Sequence, residues 1–109
     1  LLQLPNRPTA IFCSNDDMAA AATAVAHGLN LDIPNDITIT GFDDTPVAAT
    51  IWPKLTTIRQ PVTAMGREAI RLILNQIRRR RKGLPWEDQH EVMRYTLVKR
   101  ESSAAPAKP

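Results

Sequence analysis

Aromatic side chains are scarce. Phe12, Phe42, Trp52, Trp86 and Tyr95 are the five among 109 residues, too few for a stacking platform that would hold single-stranded nucleic acid. Cysteine is rarer still: Cys13 stands alone, which excludes an internal disulfide and fits a reducing, cytoplasmic setting. It lies inside an apolar stretch and no motif ties it to His27 or His90, so it reads as core and not as a nucleophile. Two unpaired histidines make no metal site. No apolar run is long enough to span a bilayer, so no membrane partner is expected, and the first residues, Leu-Leu-Gln-Leu-Pro-Asn-Arg-Pro, lack the charged-then-apolar order of a signal peptide. The chain does not begin with Met, so a piece of something longer is expected. There is also no Gly-rich phosphate loop, nucleophile elbow or metal-ligand spacing. An enzyme using its carboxylates as acid and base is therefore poorly supported, and neither catalytic residues nor a cofactor are expected.

What is present is ordinary for a globular chain: 43% hydrophobic and 23% charged residues, enough for one modest core. The net charge is +3, but the run Arg78-Arg79-Arg80-Arg81-Lys82 supplies five positive charges and leaves the remainder at −2. The body of the chain is not a basic nucleic-acid surface. The run itself reads as a solvated helix end, where cations meet the negative end of the helix dipole, with contact to DNA phosphates as the rival role.

Along the chain, Leu1 to Pro8 is a connector in which Pro5 and Pro8 refuse helix. Thr9 to Ser14 is a nearly continuous apolar run, as in a strand covered on both faces. Ser14-Asn15-Asp16-Asp17 then offers helix-capping side chains, and the alanine-rich stretch Met18 to Leu29 suits a helix lying close on a sheet. Asn30 falls where a left-handed closing residue is wanted. Ile37 to Thr40 is a β-branched strand, and Gly41-Phe42-Asp43-Asp44 follows at its carboxyl end, where open α/β sheets bind ligands. Thr45 can cap a brief helix with Pro46 in its first turn. Leu55 to Gln60 gives a third strand, and Pro61 opens a long helix from Val62 to Arg79. On that helix Val62, Met65, Gly66, Ala69, Ile70, Leu72, Ile73, Leu74 and Ile77 share one side, with Gln76 the one polar residue among them, an arc wide enough to pack on more than one surface. Val92 to Lys99 reads as a last strand, and Ser102 onward as a frayed, flexible tail. Strand and helix alternate as in an α/β fold with a parallel sheet and flanking helices, though four strands and two full helices leave an edge to be covered.

Four segments in this order, Asn15-Asp16-Asp17-Met18-Ala19, Gly41-Phe42-Asp43-Asp44, Leu55-Thr-Thr-Ile-Arg-Gln-Pro61 with Met65-Gly66, and Leu97-Val-Lys-Arg-Glu-Ser102, resemble the lactose-repressor and galactose-repressor (LacI/GalR) family of bacterial transcription regulators. The resemblance covers nearly the whole chain. It implies the C-terminal part of an effector-binding domain with the type I periplasmic-binding-protein-like fold, incomplete as a fragment. Residues 1–59 would belong to the C-terminal lobe, 60–94 to the N-terminal lobe, and 95–109 to a return strand and flexible tail. It further implies a cytoplasmic, non-enzymatic sensor of a small polar effector, a sugar or a purine-like compound, that acts on DNA only through an absent headpiece. A periplasmic sugar-binding transport protein of the same fold is the alternative. Carried over by the resemblance, Asn15 and Asp43 reach the effector, while Asp16 and Asp44 are structural, through helix capping and turn formation. Asn15 has the helix N-cap as its rival role, and Asp43 a turn closed on its own backbone. Ile51 and Trp52 are either core or part of a subunit interface, since the family assembles as dimers or higher oligomers. Exposed strand edges and the wide apolar helix suggest self-association by exchange of the segment after Gln60. Asn30 in place of the family's Gly and the Arg-rich run depart from the family pattern.

Overall fold

The computed structural model describes residues 1–106. It contains β1 (Ala10–Phe12), α1 (Asp16–Gly28), β2 (Thr38–Thr40), α2 (Pro46–Thr50), β3 (Thr57–Arg59), α3 (Val62–Arg81) and β4 (Thr96–Val98). The chain divides into two compact units, Leu1–Arg59 with the chain from Thr96 onward, and Gln60–Tyr95.

In the first unit β1 and β2 pair in parallel, Ala10 with Thr38, Ile11 with Ile39 and Phe12 with Thr40. A parallel bridge from Thr40 to Thr56 extends the order toward β3. The last strand departs from expectation: β4 pairs antiparallel with β3 and covers only Thr96–Val98, shorter than the stretch from Val92 to Lys99. Parallel strands with flanking helices thus describe the β1, β2 and β3 side, and an antiparallel strand closes the edge of β3.

Buried Ile37, Ile39 and Leu55 from the strand segments meet Ala19 and Ala26 of α1 and Ala48 of α2, with Cys13 and Ile33 beside them. The alanines let α1 approach closely because nothing longer than a methyl stands between helix and sheet. Burial also pushes the Cys13 thiol pKa up, which keeps it protonated and inert. At the end of α1 Asn30 takes φ 56°, the left-handed closure expected of it.

The end of the chain is not frayed at Ser102. Ser102 is 1% exposed, its Oγ donates to the Ile39 carbonyl at 2.5 Å and accepts from Thr56 N at 2.9 Å, and Ile39 N donates to its carbonyl at 3.0 Å. A residue that serves β2 and the segment leading into β3 together is held by backbone groups of both. Ser103 Oγ and Thr56 Oγ1 lie 2.7 Å apart, and Ala104 N donates to Thr38 Oγ1 at 3.3 Å. The final three residues of the expected tail lie outside the described residues.

The second unit is α3 and the segment after it. Gln76, the polar residue inside the apolar arc, is the buried one on α3. Its amide donates to the Glu87 carbonyl, and its Oε1 accepts from Glu87 N at 3.5 Å. Val62, Ile70, Ile73, Leu74 and Ile77 are exposed. At the helix end Arg79 pairs with Glu87 at 3.0 Å, so part of the Arg78 to Lys82 run is used within the unit.

Candidate functional site

The parallel register of β1 and β2 sends both strands out at one rim, followed by Cys13 to Asn15 on one side and Gly41 to Asp44 on the other. Asn15 caps α1: its Oδ1 accepts from Met18 N at 2.8 Å. That bond uses the carbonyl oxygen and leaves the Nδ2 donor outside the cap. Asn15 is half-buried and Asp43 is exposed.

Asp16 belongs to the structure beneath the rim, by a different route from helix capping. It is fully buried; its Oδ2 accepts from Thr45 N at 2.7 Å and Thr45 Oγ1 at 3.1 Å, and its Oδ1 accepts from Thr57 Oγ1 at 2.6 Å. One carboxylate therefore ties the start of α1 to the segments after β2 and into β3. Thr45 stands at the N-cap position of α2 but makes no side-chain cap bond, because its hydroxyl is turned to Asp16. Gly41 is required here: a Cβ would fall against Asp16 Oδ1 and within 2.8 Å of Leu55 Cδ2.

Asp44 is fixed by ion pairs besides its turn. Its side chain is 6% exposed and receives Arg59 Nε on Oδ2 and Arg100 Nη2 on Oδ1, both at 2.6 Å. Desolvation pulls the carboxyl pKa up, but the hydrogen bonds and charges of Arg100 and Arg59 outweigh it and hold Asp44 below the usual carboxylate range. Neither arginine stands out in the sequence as a partner of Asp44, since Arg100 is 56 positions away.

Trp52 is 72% exposed, while Ile51 is half-buried against the core. An apolar groove of about 490 Å³ runs beside α1, lined by Leu2, Ile11, Cys13, Met18, Ala22 and Val25 among others. Another of about 280 Å³ lies on the second unit beside Leu72, Ile73, Gln76 and Trp86. Neither includes Asn15 or Asp43. Among the described residues no group of three His, Cys, Asp or Glu is placed to hold a metal ion, and no helix is long and apolar enough to cross a membrane.

A family profile described as "periplasmic binding protein-like domain" matches residues 1–103. The chain belongs to that family. Its relatives place it with the LacI-type regulators. It is 42% identical over 97 residues to the HTH-type transcriptional regulator MalR of Streptomyces coelicolor, an alignment covering 89% of this chain and 27% of MalR. Among solved structures, the transcriptional regulator CelR in complex with cellobiose aligns at 34% identity and a TM-score of 0.76, over 87% of this chain and 28% of CelR. The lac repressor dimer bound to operator and the anti-inducer ONPF aligns at 30% identity and a TM-score of 0.75, over 90% of this chain and 32% of that one. The chain therefore spans about a quarter to a third of the length of these relatives. It is a LacI-family effector-binding domain in kind, and the similar proteins named are regulators and not enzymes, which lends the acid–base reading of the carboxylates no support.

Proposed function

We propose that this chain forms one wall of the effector cleft in a longer, cytoplasmic LacI-family transcription regulator, with Asn15 and Asp43 as its ligand contacts. Residues 1–59 supply part of the C-terminal lobe, 60–94 part of the N-terminal lobe, and 95–109 the return. The observation that supports this is the parallel pairing of β1 and β2, by which the segments carrying Asn15 and Asp43 leave the sheet at the same end. A carboxylate that accepts two hydrogen bonds suits vicinal hydroxyls, and an amide donor complements it, so a sugar or a nucleoside is the effector class. The cellobiose held by CelR is of that class. A ligand between two lobes favours one closure state, and the difference in binding free energy is passed to a paired DNA-binding headpiece. Exposed Trp52 beside Ile51 provides an apolar anchor for the subunit contact of a homodimer.

The test begins with a thermal-shift screen of the intact regulator against cellobiose, sucrose, other simple sugars and purine nucleosides. Operator affinity is then measured with and without the compound that shifts melting. Asp43→Ala, and Asp43→Asn, which tolerates the same left-handed backbone, are expected to keep operator binding and lose the effector response. A mutant that responds like the parent rejects the site.

A further inference from the structure

Asp43 and Asp44 follow one another at φ 103° and 54°. Neither is glycine, and two consecutive residues in this region persist only where their surroundings over-determine them. The constraint on Asp43 comes partly from its own backbone, whose N–H donates to the Ile58 carbonyl at 2.8 Å. The constraint on Asp44 comes from two guanidinium groups, one on each carboxylate oxygen. These two differ in kind. Arg59 is 58% exposed, whereas Arg100 is 19% exposed and is itself braced: its Nη1 donates to the Leu55 carbonyl at 2.9 Å, and its backbone N–H to Thr56 Oγ1 at 2.9 Å. A guanidinium with both ends engaged acts as a rigid strut, because its planar fork cannot satisfy one partner without fixing the other.

We infer that Arg100, acting through Asp44, is a positioning residue for Asp43: the segment after β4 fixes the turn that presents the candidate ligand carboxylate at the rim. This rests on the reading of Asp43 as a ligand contact. Asp44 is thus more than a turn-former, since its carboxylate links the end of β2 to the segment after β4. Arg100→Met removes the strut and keeps the apolar stem, Arg100→Lys returns a charge without the fork, and Asp44→Asn removes the charge on the other side with little change of shape.

The experiment uses the intact regulator. Hydrogen exchange is followed by mass spectrometry in peptides covering 41–45, β1 and α1, and calorimetry measures affinity for cellobiose, sucrose and adenosine. Arg100→Met and Asp44→Asn are expected to speed exchange in 41–45 about tenfold or more while β1 and α1 keep their protection. Arg100→Lys should recover only part of it. Affinity for whichever of the three compounds binds the parent should fall about tenfold or more. Unchanged exchange in 41–45, or an equal rise across β1 and α1, overturns the inference, the second outcome marking general destabilisation. If Arg100→Met loosens the turn but Asp43→Ala leaves binding intact, the site reading fails while the strut stands. If Asp43→Ala abolishes binding and Arg100→Met changes neither exchange nor affinity, the strut fails and the site stands. If none of the three compounds binds, the exchange pattern alone decides the positioning.

Discussion

The two units of this chain solve the burial problem in opposite ways. In the unit containing β1 to β3 and β4, the core is small and apolar, and the polar groups sealed around it are bonded: Asp16 to Thr45 and Thr57, and Ser102 to Ile39 and Thr56. In the unit built on α3 the pattern is reversed. Gln76 is the buried residue on that helix, while Ile70, Ile73, Leu74 and Ile77 face solvent. Hydrophobic periodicity therefore marks a face and not its burial: α3 leaves its apolar arc largely exposed in this chain, while the small residues Ala19 and Ala26 of α1 enter the core. The first unit is specified by long-range polar contacts, and the second is a helix with a local hydrogen-bonded loop.

Three perturbations sharpen that contrast. The largest effect is expected from Asp16→Ala, which strands Thr45 N, Thr45 Oγ1 and Thr57 Oγ1 in a buried setting. The loss should be about 3 kcal/mol or more, read as a fall in the denaturant midpoint. A midpoint shift near zero would mean that these bonds do not hold the first unit together. An intermediate effect is expected on acidification. Because the folded carboxyl of Asp44 is depressed, mainly by its hydrogen bonds to Arg100 and Arg59 against the opposing desolvation, its contribution is complete above the unfolded carboxylate pKa. It is lost as pH falls through the lower folded value, that is, below about pH 4. Asp44→Asn should lower stability near neutrality by that contribution and flatten the profile in the acid range, and an identical acid limb in parent and variant would contradict the pairing. The smallest effect is expected from Ile73→Ser on the exposed face of α3, within about 0.5 kcal/mol in this chain. A cost as large as that of Asp16→Ala would show that the face is buried in solution and erase the difference between the units.

Much of the rim is legible in the sequence because its signals are local. A buried-strand run ending in Ser14-Asn15, a β-branched run ending in Gly41, and a left-handed closure at Asn30 each follow from backbone preferences within a few residues. What holds the rim is not legible, because it depends on partners far away. Asp16 reads as a helix-start carboxylate, yet its bonds run 29 and 41 positions along the chain. Arg100 sits in a segment marked by its resemblance to the family, but nothing local names Asp44 as its partner, and Ser102 looks like the first residue of a polar tail until β2 is seen to need it. The antiparallel pairing of β4 is hidden for the same reason: three residues, Thr96–Val98, carry no directional signal of their own. On α3, Gln76 is visible as an interruption of the apolar arc, but the backbone of Glu87 that explains it lies beyond the helix.

The central claim is that Asn15 and Asp43 form one ligand-facing edge. Its most direct test is operator affinity of the intact Asp43→Ala regulator, measured beside the parent across a titration of the compound that raises the parent's melting temperature. The parent's operator affinity should change with that compound and the mutant's should stay flat at the parent's ligand-free value. A mutant curve superimposable on the parent's would contradict it.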